Sequence, residues 1–345
     1  MSILLTGLTG EVGSRLGSLL QVKERMFCLV RNGKQRVVNG KLKGVPVSQI
    51  INADIASDDF CGINLADIDF LKKQKITKII HLAASVKFDE DLSKEIWTTN
   101  YIGTKNVLSL TKELGIREFH YVSTAYASTT GRNPYEKSKA AAEKLVKESM
   151  ITYSIYRLGI VIGDSKTGHI KAFNGYYGFF IPVYVAVKRY REKKGLKGTI
   201  NLPLYIDCSF DSTLNLVPID WVTRILTELI KLPCQDEAFY IVHSNPPRVQ
   251  WVMEEGFRTI GVEKIRYIDY RDFQPEQNDR ILRIIQKGVN NELARFRPYV
   301  TEEKDFSLKT TQKYLDGKYK DPPQITSELL AMLLEFAIKK EFGRT

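Results

Sequence analysis

Residues 2–13 read Ser2-Ile3-Leu4-Leu5-Thr6-Gly7-Leu8-Thr9-Gly10-Glu11-Val12-Gly13, an apolar run that leads into three glycines at three-residue spacing. The apolar run predicts a buried strand, and residues 14–21 predict a helix directly after it. Gly7 lets the chain turn sharply out of the strand, Gly10 lets the backbone approach a pyrophosphate, and Gly13 lets the helix pack closely on the strand. Because the free N–H groups of a helix start favour phosphate, the stretch predicts a dinucleotide-binding turn.

Strand-like and helix-like segments alternate through the first half of the 345 residues. Such alternation implies parallel strands joined by right-handed crossovers. We therefore predict an α/β fold, a doubly wound parallel (Rossmann) sheet with a smaller, mostly helical C-terminal substrate-binding region. Residues 1–163 would form the nucleotide-binding core and residues 164–345 the substrate-binding region, with residues 216–243 returning to the core sheet. Strands are predicted at 26–30, 49–52, 77–82, 118–123, 153–157 and 239–242, and helices at 97–114, 135–149, 279–295 and 325–342.

The composition, 43% hydrophobic and 26% charged, is that of an ordinary globular protein. The net charge of +11 calls for anionic partners. The basic residues are dispersed and no nucleic-acid module is visible, so a phosphorylated cofactor, coenzyme A or an acidic carrier protein is expected rather than nucleic acid.

Four scattered cysteines, Cys28, Cys61, Cys208 and Cys234, form no C-x-x-C pair. This pattern predicts a reducing compartment, no disulfide framework and no metal site. The N-terminal strand leaves no room for a signal peptide, and no apolar run reaches the ~18 residues of a spanning helix. A cytoplasmic location is expected.

The second predicted strand ends in Cys28-Leu29-Val30-Arg31-Asn32, with a base where NAD-binding sheets carry an acid. Arg31, together with Lys34 and Arg36, suits a 2′-phosphate, which predicts NADPH. A solvated basic loop is the alternative. Asp54, at the end of the third strand, offers a carboxylate to an adenine amino group. The run His81-Leu82-Ala83-Ala84 ends the fourth strand with small residues that leave room for a cofactor, and His81 itself is expected to be a core histidine.

Tyr135 and Lys139 stand four residues apart at the start of a predicted helix and therefore on one helical face. The ammonium is expected to lower the pKa of the phenol, making Tyr135 a general acid or base near neutrality. Upstream, Ser123 and Thr124 end the fifth strand, where a hydroxyl can hydrogen-bond a substrate carbonyl oxygen.

In these motifs the chain resembles the extended short-chain dehydrogenase/reductases. The glycine motif, Asp54-Ile55, H-L-A-A, Asn100, S-T-A and Y-x-x-x-K follow in the family's order over residues 2–243. Residues 81–88, 123–126 and 157–168 look like the fatty acyl-CoA reductase and thioester reductase branch. Residues 217–221, V-P-I-D-W, are similar to a more widely shared element.

The resemblance implies catalytic roles for Thr124, Tyr135 and Lys139, with Ser123 as the substitute for Thr124. Asn100 would anchor the helix behind the site, either directly or through water. The implied cofactor contacts are Thr6, Gly7, Thr9, Gly10, Glu11, Val12, Gly13, Arg31, Lys34, Arg36, Asp54, Ile55, Leu82, Ala83, Ala84, Asn100, Ser123, Tyr135, Lys139, Leu158 and Gly159.

The function this implies is NADPH-dependent reduction of a thioester-bound acyl group, on coenzyme A or an acyl-carrier protein, to an aldehyde or on to an alcohol. The alternative is a reductase or epimerase of a small carbonyl compound such as a ketone, sterol or nucleotide sugar. Only ten residues separate Thr124 from Tyr135, which predicts a short loop and an open mouth above the nicotinamide. No oligomeric state follows from the sequence.

Two later segments each admit more than one interpretation. Residues 175–187 are apolar and aromatic, so they would line an acyl channel, touch a membrane interface, or simply pack in a core. Residues 188–197 carry six bases and one acid, which predicts either a docking patch for an anionic partner or a solvated face.

Overall fold

The computed structural model describes residues 2–22, 24–207, 212–268, 280–302 and 305–343. Cys208 and position 279, the first of a predicted helix, lie outside the described residues. The chain divides into two compact units. The first comprises Met1–Gly159, Val222–Val242 and Ser307–Lys320, and the second comprises Ile160–Trp221, His243–Phe306 and Asp321–Thr345.

The strands follow one another in chain order as β1 (Ser2–Thr6), β2 (Arg25–Val30), β3 (Lys41–Leu42), β4 (Val45–Pro46), β5 (Ile50–Asn52), β6 (Ile76–His81), β7 (Glu118–Thr124), β8 (Thr152–Leu158), β9 (Ile160–Ile162), β10 (Ile200–Asn201), β11 (Tyr205–Asp207), β12 (Leu216–Pro218), β13 (Glu237–Ile241), β14 (Val262–Glu263) and β15 (Arg266–Ile268).

The α-helices are α1 (Glu11–Leu20), α2 (Asp58–Gly62), α3 (Leu65–Lys72), α4 (Ser93–Trp97), α5 (Gly103–Glu113), α6 (Pro134–Lys147), α7 (Tyr176–Lys194), α8 (Ile219–Ile230), α9 (Val249–Ile260), α10 (Arg280–Leu293), α11 (Arg297–Thr301), α12 (Lys309–Leu315) and α13 (Ser327–Lys339).

The first unit is built on a seven-stranded sheet in the order β5-β2-β1-β6-β7-β8-β13. Every neighbouring pair in it is parallel. The chain first winds outward from β1 to β5 and then returns to the other side at β6. Ligands of such sheets bind at the carboxyl ends of the strands beside this switch point. The predicted doubly wound parallel sheet is confirmed.

Long apolar strands bury the centre of this unit. Leu4, Phe27, Ile79, Phe119 and Ile155, one from each of five strands, are completely buried in a single cluster. Strands that are covered on both faces bury nearly every side chain, which explains their almost unbroken apolar sequences. The register aligns the strand ends, so that Thr6 lies opposite His81 and Thr124 lies opposite Leu158.

The helix predicted over residues 97–114 is in fact three segments. It begins earlier, as α4, passes through a π-helical turn at Thr98–Ile102, and continues as α5. A π-turn inserts an extra residue into the helical repeat and is frequent at functional sites. Such a turn has no signature in hydrophobic spacing, so the sequence predicted one continuous helix.

The second unit holds three short parallel pairs, β12 with β9, β10 with β14 and β11 with β15. The apolar residues 175–187 form the first part of α7, and most of their rings are buried. Phe180 packs 5.5 Å from Phe257 and 5.1 Å from Tyr176 between ring centroids. Of the three interpretations, core packing accounts for these contacts. Phe179 also lines a cavity of about 130 Å³ together with Leu293, Val300 and the ion pair of Asp207 with Arg297.

The basic residues 188–197 are used in two ways. Lys188 pairs with Glu341 at 2.9 Å, and Arg191 donates to the carbonyl oxygens of Ile260 and Gly261 at the end of α9. The others, Arg189, Lys193, Lys194 and Lys197, are exposed. Across the described ranges, none of the helices is both long enough and apolar enough to cross a bilayer.

Candidate active site

The glycine turn between β1 and α1 is a backbone cradle with no room for side chains. Gly7 has φ +80°, and a Cβ added there would lie 2.7 Å from the backbone nitrogen of Ala83. A Cβ on Gly13 would lie 2.1 Å from the Gly7 carbonyl oxygen, and one on Gly10 would lie 3.3 Å from it. Thr9 lies in this turn, and Glu11 and Val12 are the first two residues of α1. The exposed N–H groups of this helix start fit the pyrophosphate of a dinucleotide.

Thr6 and His81 join the ends of β1 and β6 beneath this cradle. The Thr6 hydroxyl accepts from the backbone N–H groups of Leu82 and Ala83 at 3.2 and 3.1 Å, so it donates to His81 Nδ1 at 2.7 Å. His81 Nε2 then donates to Thr104 Oγ1 at 3.1 Å. Burial lowers the pKa of His81 to about 3, helped by the charge of Lys139. His81 is thus a neutral core histidine, as the sequence predicted, and it fixes the H-L-A-A strand end.

Thr124, Tyr135 and Lys139 come together at the carboxyl end of β7. Thr124 is the last residue of that strand, and its hydroxyl lies near enough to the phenol of Tyr135, in the first turn of α6, to favour a lower pKa for that phenol. Lys139, one turn later, donates to the carbonyl oxygen of Val122 at 2.7 Å, and its Nζ lies 4.2 Å from the ring centroid of Tyr121. The sequence therefore identified three side chains that the fold does bring to one place.

The protonation of this trio differs from expectation. Burial raises the pKa of Tyr135 to about 12, only partly opposed by the hydrogen bond from Thr124. Burial also lowers the pKa of Lys139 to about 7, opposed by the charge of Glu143. The expectation that Lys139 would lower the tyrosine pKa was wrong, because desolvation of the phenol outweighs any nearby charge in this structure. Tyr135 is a protonated hydrogen-bond donor at neutral pH.

Ser123 is not brought to the phenol. Adjacent residues of a strand point to opposite faces, so Ser123 and Thr124 face apart. Ser123 donates to Glu143 Oε1 at 2.7 Å, and Arg157 holds the other carboxylate oxygen of Glu143 at 2.6 Å. Arg157 also donates to the Tyr240 hydroxyl at 2.9 Å. Sequence reasoning missed this buried network, although Glu143 lies one helical turn after Lys139.

Asn100, in the π-helical turn, fastens α6 to the neighbouring loop. Its amide accepts from the Ser85 N–H at 2.7 Å and donates to the Ser85 carbonyl oxygen at 3.0 Å. It also donates to the Ser138 hydroxyl at 3.0 Å, within the first turns of α6. Of the two links that the resemblance left open, the direct contact of Asn100 with α6 is the one observed. The ring of Phe88, beyond this loop, lies 5.7 Å from that of Tyr135.

The residues predicted to bind the adenosine end lie beyond β2 and β5. The Arg31 side chain is 76% exposed, with its guanidinium 3.9 Å from Asp54 Oδ2. Lys34 and Arg36 are exposed in the following 3₁₀ turn. Asp54 Oδ1 accepts from the Ala56 N–H at 3.0 Å, and Ile55 packs against Gly103, where a Cβ would lie 2.9 Å from its Cδ1. Three bases and one acid thus flank this end of the sheet.

Three more of the predicted cofactor contacts lie at strand ends on the other side of the switch point. Ala84 continues the half-buried loop after β6. Leu158 ends β8 and is buried, and the N–H of Gly159 donates to the carbonyl oxygen of Ile241 at 3.0 Å. All three lie at the carboxyl edge, where a Rossmann sheet binds its ligand.

Comparison with known proteins gives one family and a set of shared folds. A family model described as Male sterility protein matches residues 5–133 and 128–226, which is well over half of the chain. No curated protein matches the chain significantly.

Among solved structures, the terminal R domain from the myxalamid PKS-NRPS biosynthetic pathway has a TM-score of 0.74 at 23% identity, covering 99% of this chain and 91% of that one. A thiolation-reductase di-domain from an archaeal non-ribosomal peptide synthetase has a TM-score of 0.68 at 18% identity, covering 99% and 76%. UDP-glucose 4-epimerase from Thermotoga maritima, with UDP-glucose, has a TM-score of 0.61 at 16% identity, covering 99% and 100%. At these identities the structures share a fold with this chain.

Proposed function

The chain belongs to the NAD-binding male sterility protein family, and from that premise we propose that it is an NADPH-dependent reductase of thioester-bound acyl groups. The observation that carries the proposal is that Thr124 ends β7 beside Tyr135 and lowers the pKa of its phenol, with Lys139 one turn further along α6. The glycine turn that would hold the dinucleotide follows β1, which belongs to the same sheet and is separated from β7 by β6 alone. Together they support a proton donor and a hydroxyl acting at the edge where a Rossmann sheet binds its cofactor.

A bound nicotinamide would supply a hydride to the carbonyl carbon of the thioester. Tyr135, protonated at neutral pH, then donates to the carbonyl oxygen as negative charge develops on it, and Thr124 adds a second hydrogen bond. Breakage of the carbon–sulfur bond releases the thiol and leaves an aldehyde. The overall balance is one thioester, one hydride and one proton giving one aldehyde and one thiol. A second hydride and proton would convert the aldehyde to an alcohol.

Lys139 supports this chemistry by binding the cofactor. Its bond to the Val122 carbonyl oxygen fixes the ammonium against β7, and its remaining N–H groups suit the ribose hydroxyls of the cofactor. Asn100 and Ser138 hold the same turn of α6 in place. Lys139 is therefore assigned to cofactor binding and Tyr135 to proton donation.

The choice of NADPH rests on the residues that follow β2. An acid there would repel a 2′-phosphate, whereas Arg31 presents an exposed guanidinium, with Lys34 and Arg36 close behind. The pairing of Arg31 with Asp54 is long, at 3.9 Å, and largely solvated, so it competes weakly with a phosphate.

A thioester is favoured over a small carbonyl compound by the archaeal relative in fold, whose structure joins a thiolation domain to a reductase. The exposed bases of residues 188–197 favour an anionic carrier of the acyl group, either coenzyme A or an acidic carrier protein. Within that run we assign docking to Arg189, Lys193 and Lys194, because Lys188 and Arg191 already have partners in the fold.

The deciding experiment follows NADPH oxidation and free thiol in parallel, with a panel of acyl-coenzyme A thioesters and ketones. The proposal expects stoichiometric thiol release with thioesters, loss of both signals in Tyr135→Phe, and full activity in Tyr153→Phe at the amino end of β8. NADPH oxidation with ketones and no thiol release from any thioester would establish the small-carbonyl alternative instead.

The docking assignment has its own test. Neutralising Arg189, Lys193 and Lys194 to glutamine should raise the KM for the carrier-bound substrate at low salt and have little effect at high salt, where exposed charges are screened. The matched control neutralises Lys41, Lys43 and Lys73, which are equally exposed in the first unit. An equal rise in KM for both triple variants would rule out a specific docking patch.

A further inference from the structure

Three potential metal ligands meet at the amino end of β7. His120 Nε2 lies 3.6 Å from Cys234 Sγ and 3.5 Å from Glu118 Oε2, and all three ligand atoms lie within 4.8 Å of one another. Glu118 and His120 stand two apart on β7 and so share a face of the sheet, while Cys234 comes from the segment between α8 and β13. All three residues belong to the first unit.

These spacings match a metal better than they match hydrogen bonds. At 3.5 Å the contact of His120 with Glu118 is longer than an ordinary N–H···O bond. Glu118 Oε2 is inaccessible to water and has no hydrogen bond of ordinary geometry. Zinc bonds of about 2.0 to 2.3 Å in a tetrahedron place the ligand atoms roughly 3.3 to 3.6 Å from one another. The imidazole nitrogen thus lies at tetrahedral spacing from both other ligand atoms.

The histidine ring is oriented as a ligand would be. His120 Nδ1 lies 2.7 Å from the Tyr156 hydroxyl, and the two rings stack at 8°. In metal sites the second nitrogen of a ligating histidine is commonly held in this manner, which turns the first nitrogen toward the ion. Here the fixed orientation points Nε2 toward Cys234 and Glu118.

We propose that Glu118, His120 and Cys234 bind one divalent ion of the zinc class, with water as the fourth ligand. Binding forms bonds to Nε2, to the carboxylate and to the thiolate, and the thiol proton passes to solvent. Two anionic ligands neutralise the ion. β7 carries this site at the end opposite Thr124, about six residues or roughly 20 Å away along the strand, so the ion would tie β7 to the segment before β13 and take no part in the chemistry.

Lys78 is the one charge that opposes this site within the part of the unit the structure describes. Its ammonium lies 3.4 Å from Glu118 Oε2 and donates to the Ile230 carbonyl oxygen at 2.9 Å. A cation so close would weaken metal binding by repulsion. Lys78→Gln keeps a donor for Ile230 and removes the charge, so this variant should bind the ion severalfold more tightly.

The test uses the full chain stripped of metal with a chelator and titrated with Co²⁺. We expect one Co²⁺ per chain, with a thiolate-to-cobalt charge-transfer band, the intense visible bands of four-coordinate cobalt, and displacement by Zn²⁺. Cys234→Ser should abolish the charge-transfer band. Cys28→Ser, the same change at another buried cysteine of the sheet, should retain it.

Binding of NADPH by each variant reports whether it is folded, because the cofactor cradle lies at the other edge of the sheet. Should Cys234→Ser fail that check, His120→Gln and the increase expected from Lys78→Gln test the same assignment. A chain that takes up no Co²⁺, or a charge-transfer band that persists without Cys234, would overturn the proposal and leave a buried S–H···N contact.

Discussion

The two ends of β7 carry polar residues that have different partners. At the carboxyl end, Thr124 reaches Tyr135 and faces the edge where the cofactor cradle lies. At the amino end, Glu118 and His120 are turned toward Cys234 and Lys78. Both sets interrupt an otherwise apolar strand, so both require a reason for being buried. In the function proposed above, the carboxyl end serves a ligand that binds and dissociates, whereas the amino end supports the fold.

This contrast separates two kinds of mutational effect. Substitutions at the carboxyl edge should change turnover or cofactor binding and leave stability nearly intact. Substitutions at the amino edge should change stability and leave the turnover of folded molecules intact. Mutations at each end can therefore test whether the two effects are separate.

Tyr135→Phe should lower kcat by a factor on the order of 10² to 10⁴, the usual contribution of a positioned general acid. The ring and its contact with Phe88 remain, so cofactor affinity and the midpoint of unfolding should hardly move. Stopped-flow reduction and fluorescence titration with NADPH measure the two quantities separately. A large loss of stability in this variant would mean that the carboxyl end also supports the fold.

His120→Ala should lower the free energy of unfolding by about 3 kcal/mol, since it opens a cavity and leaves the buried Tyr156 hydroxyl without its partner. Urea denaturation in the presence of a chelator measures this independently of any metal. Tyr156→Phe removes only the hydroxyl and should cost less. Because neither side chain touches the site, kcat per folded molecule should equal that of the parent. A lowered kcat would break the separation between the two ends.

The lowered pKa of Lys139, at the carboxyl end of β7, predicts that the free energy of unfolding depends on pH. Its pKa is about 7 in the fold, and the ordinary lysine pKa of 10.5 applies in the unfolded chain. Between pH 7.5 and 9.5 the unfolded chain therefore binds more protons, so the free energy of unfolding contributed by this group rises with pH. At about 1.4 kcal/mol per pH unit the gain reaches roughly 2 kcal/mol over that interval.

The measurement compares the cofactor-free parent chain with Lys139→Met by chemical denaturation at both pH values. Buried cysteines act in the opposite direction, because burial raises their pKa, but they contribute equally to both proteins and cancel in the difference. Lys137→Met, an exposed neighbour on α6, is the control and should match the parent. Equal slopes for all three proteins would show that Lys139 keeps its ordinary pKa.

The same two ends show what a sequence can and cannot predict. The glycine turn and Tyr135 with Lys139 are local patterns, in which spacing along the chain fixes spacing in space. The parallel sheet followed from alternation, because crossovers have one hand. Glu118, His120 and Cys234 have no such spacing, since Cys234 lies 114 residues beyond His120 and meets it only after the sheet has formed. The absence of paired cysteines predicted no metal site, and that reasoning considers only ligands that are close in the sequence.

The prediction that the pKa of Tyr135 would be lowered failed for a related reason. The sequence showed a nearby lysine but not how deeply the phenol would be buried, and burial was the larger effect. Similarly, Ser123 and Thr124 were both candidate hydroxyls until the register of β7 placed one beside Tyr135 and the other beside Glu143. Tertiary packing decides which face of the sheet each side chain points to. Two adjacent hydroxyl residues in a sequence do not indicate which of them will face the site.

Arg31→Ala should have the smallest effect, because its guanidinium is exposed and its pairing with Asp54 is long. Loss of a charged hydrogen bond to the 2′-phosphate in a solvated position should weaken NADPH binding by about tenfold, at the lower end of such bonds, and leave NADH binding unchanged. Calorimetric titration with both nucleotides measures the ratio, and Arg36→Ala shows whether the next exposed base shares the role. Stability should not change, which distinguishes this residue from His120 on the opposite edge. If the parent chain binds NADH as tightly as NADPH, the bases after β2 are a solvated loop and the assignment of NADPH falls, while the roles of Thr124 and Tyr135 are untouched.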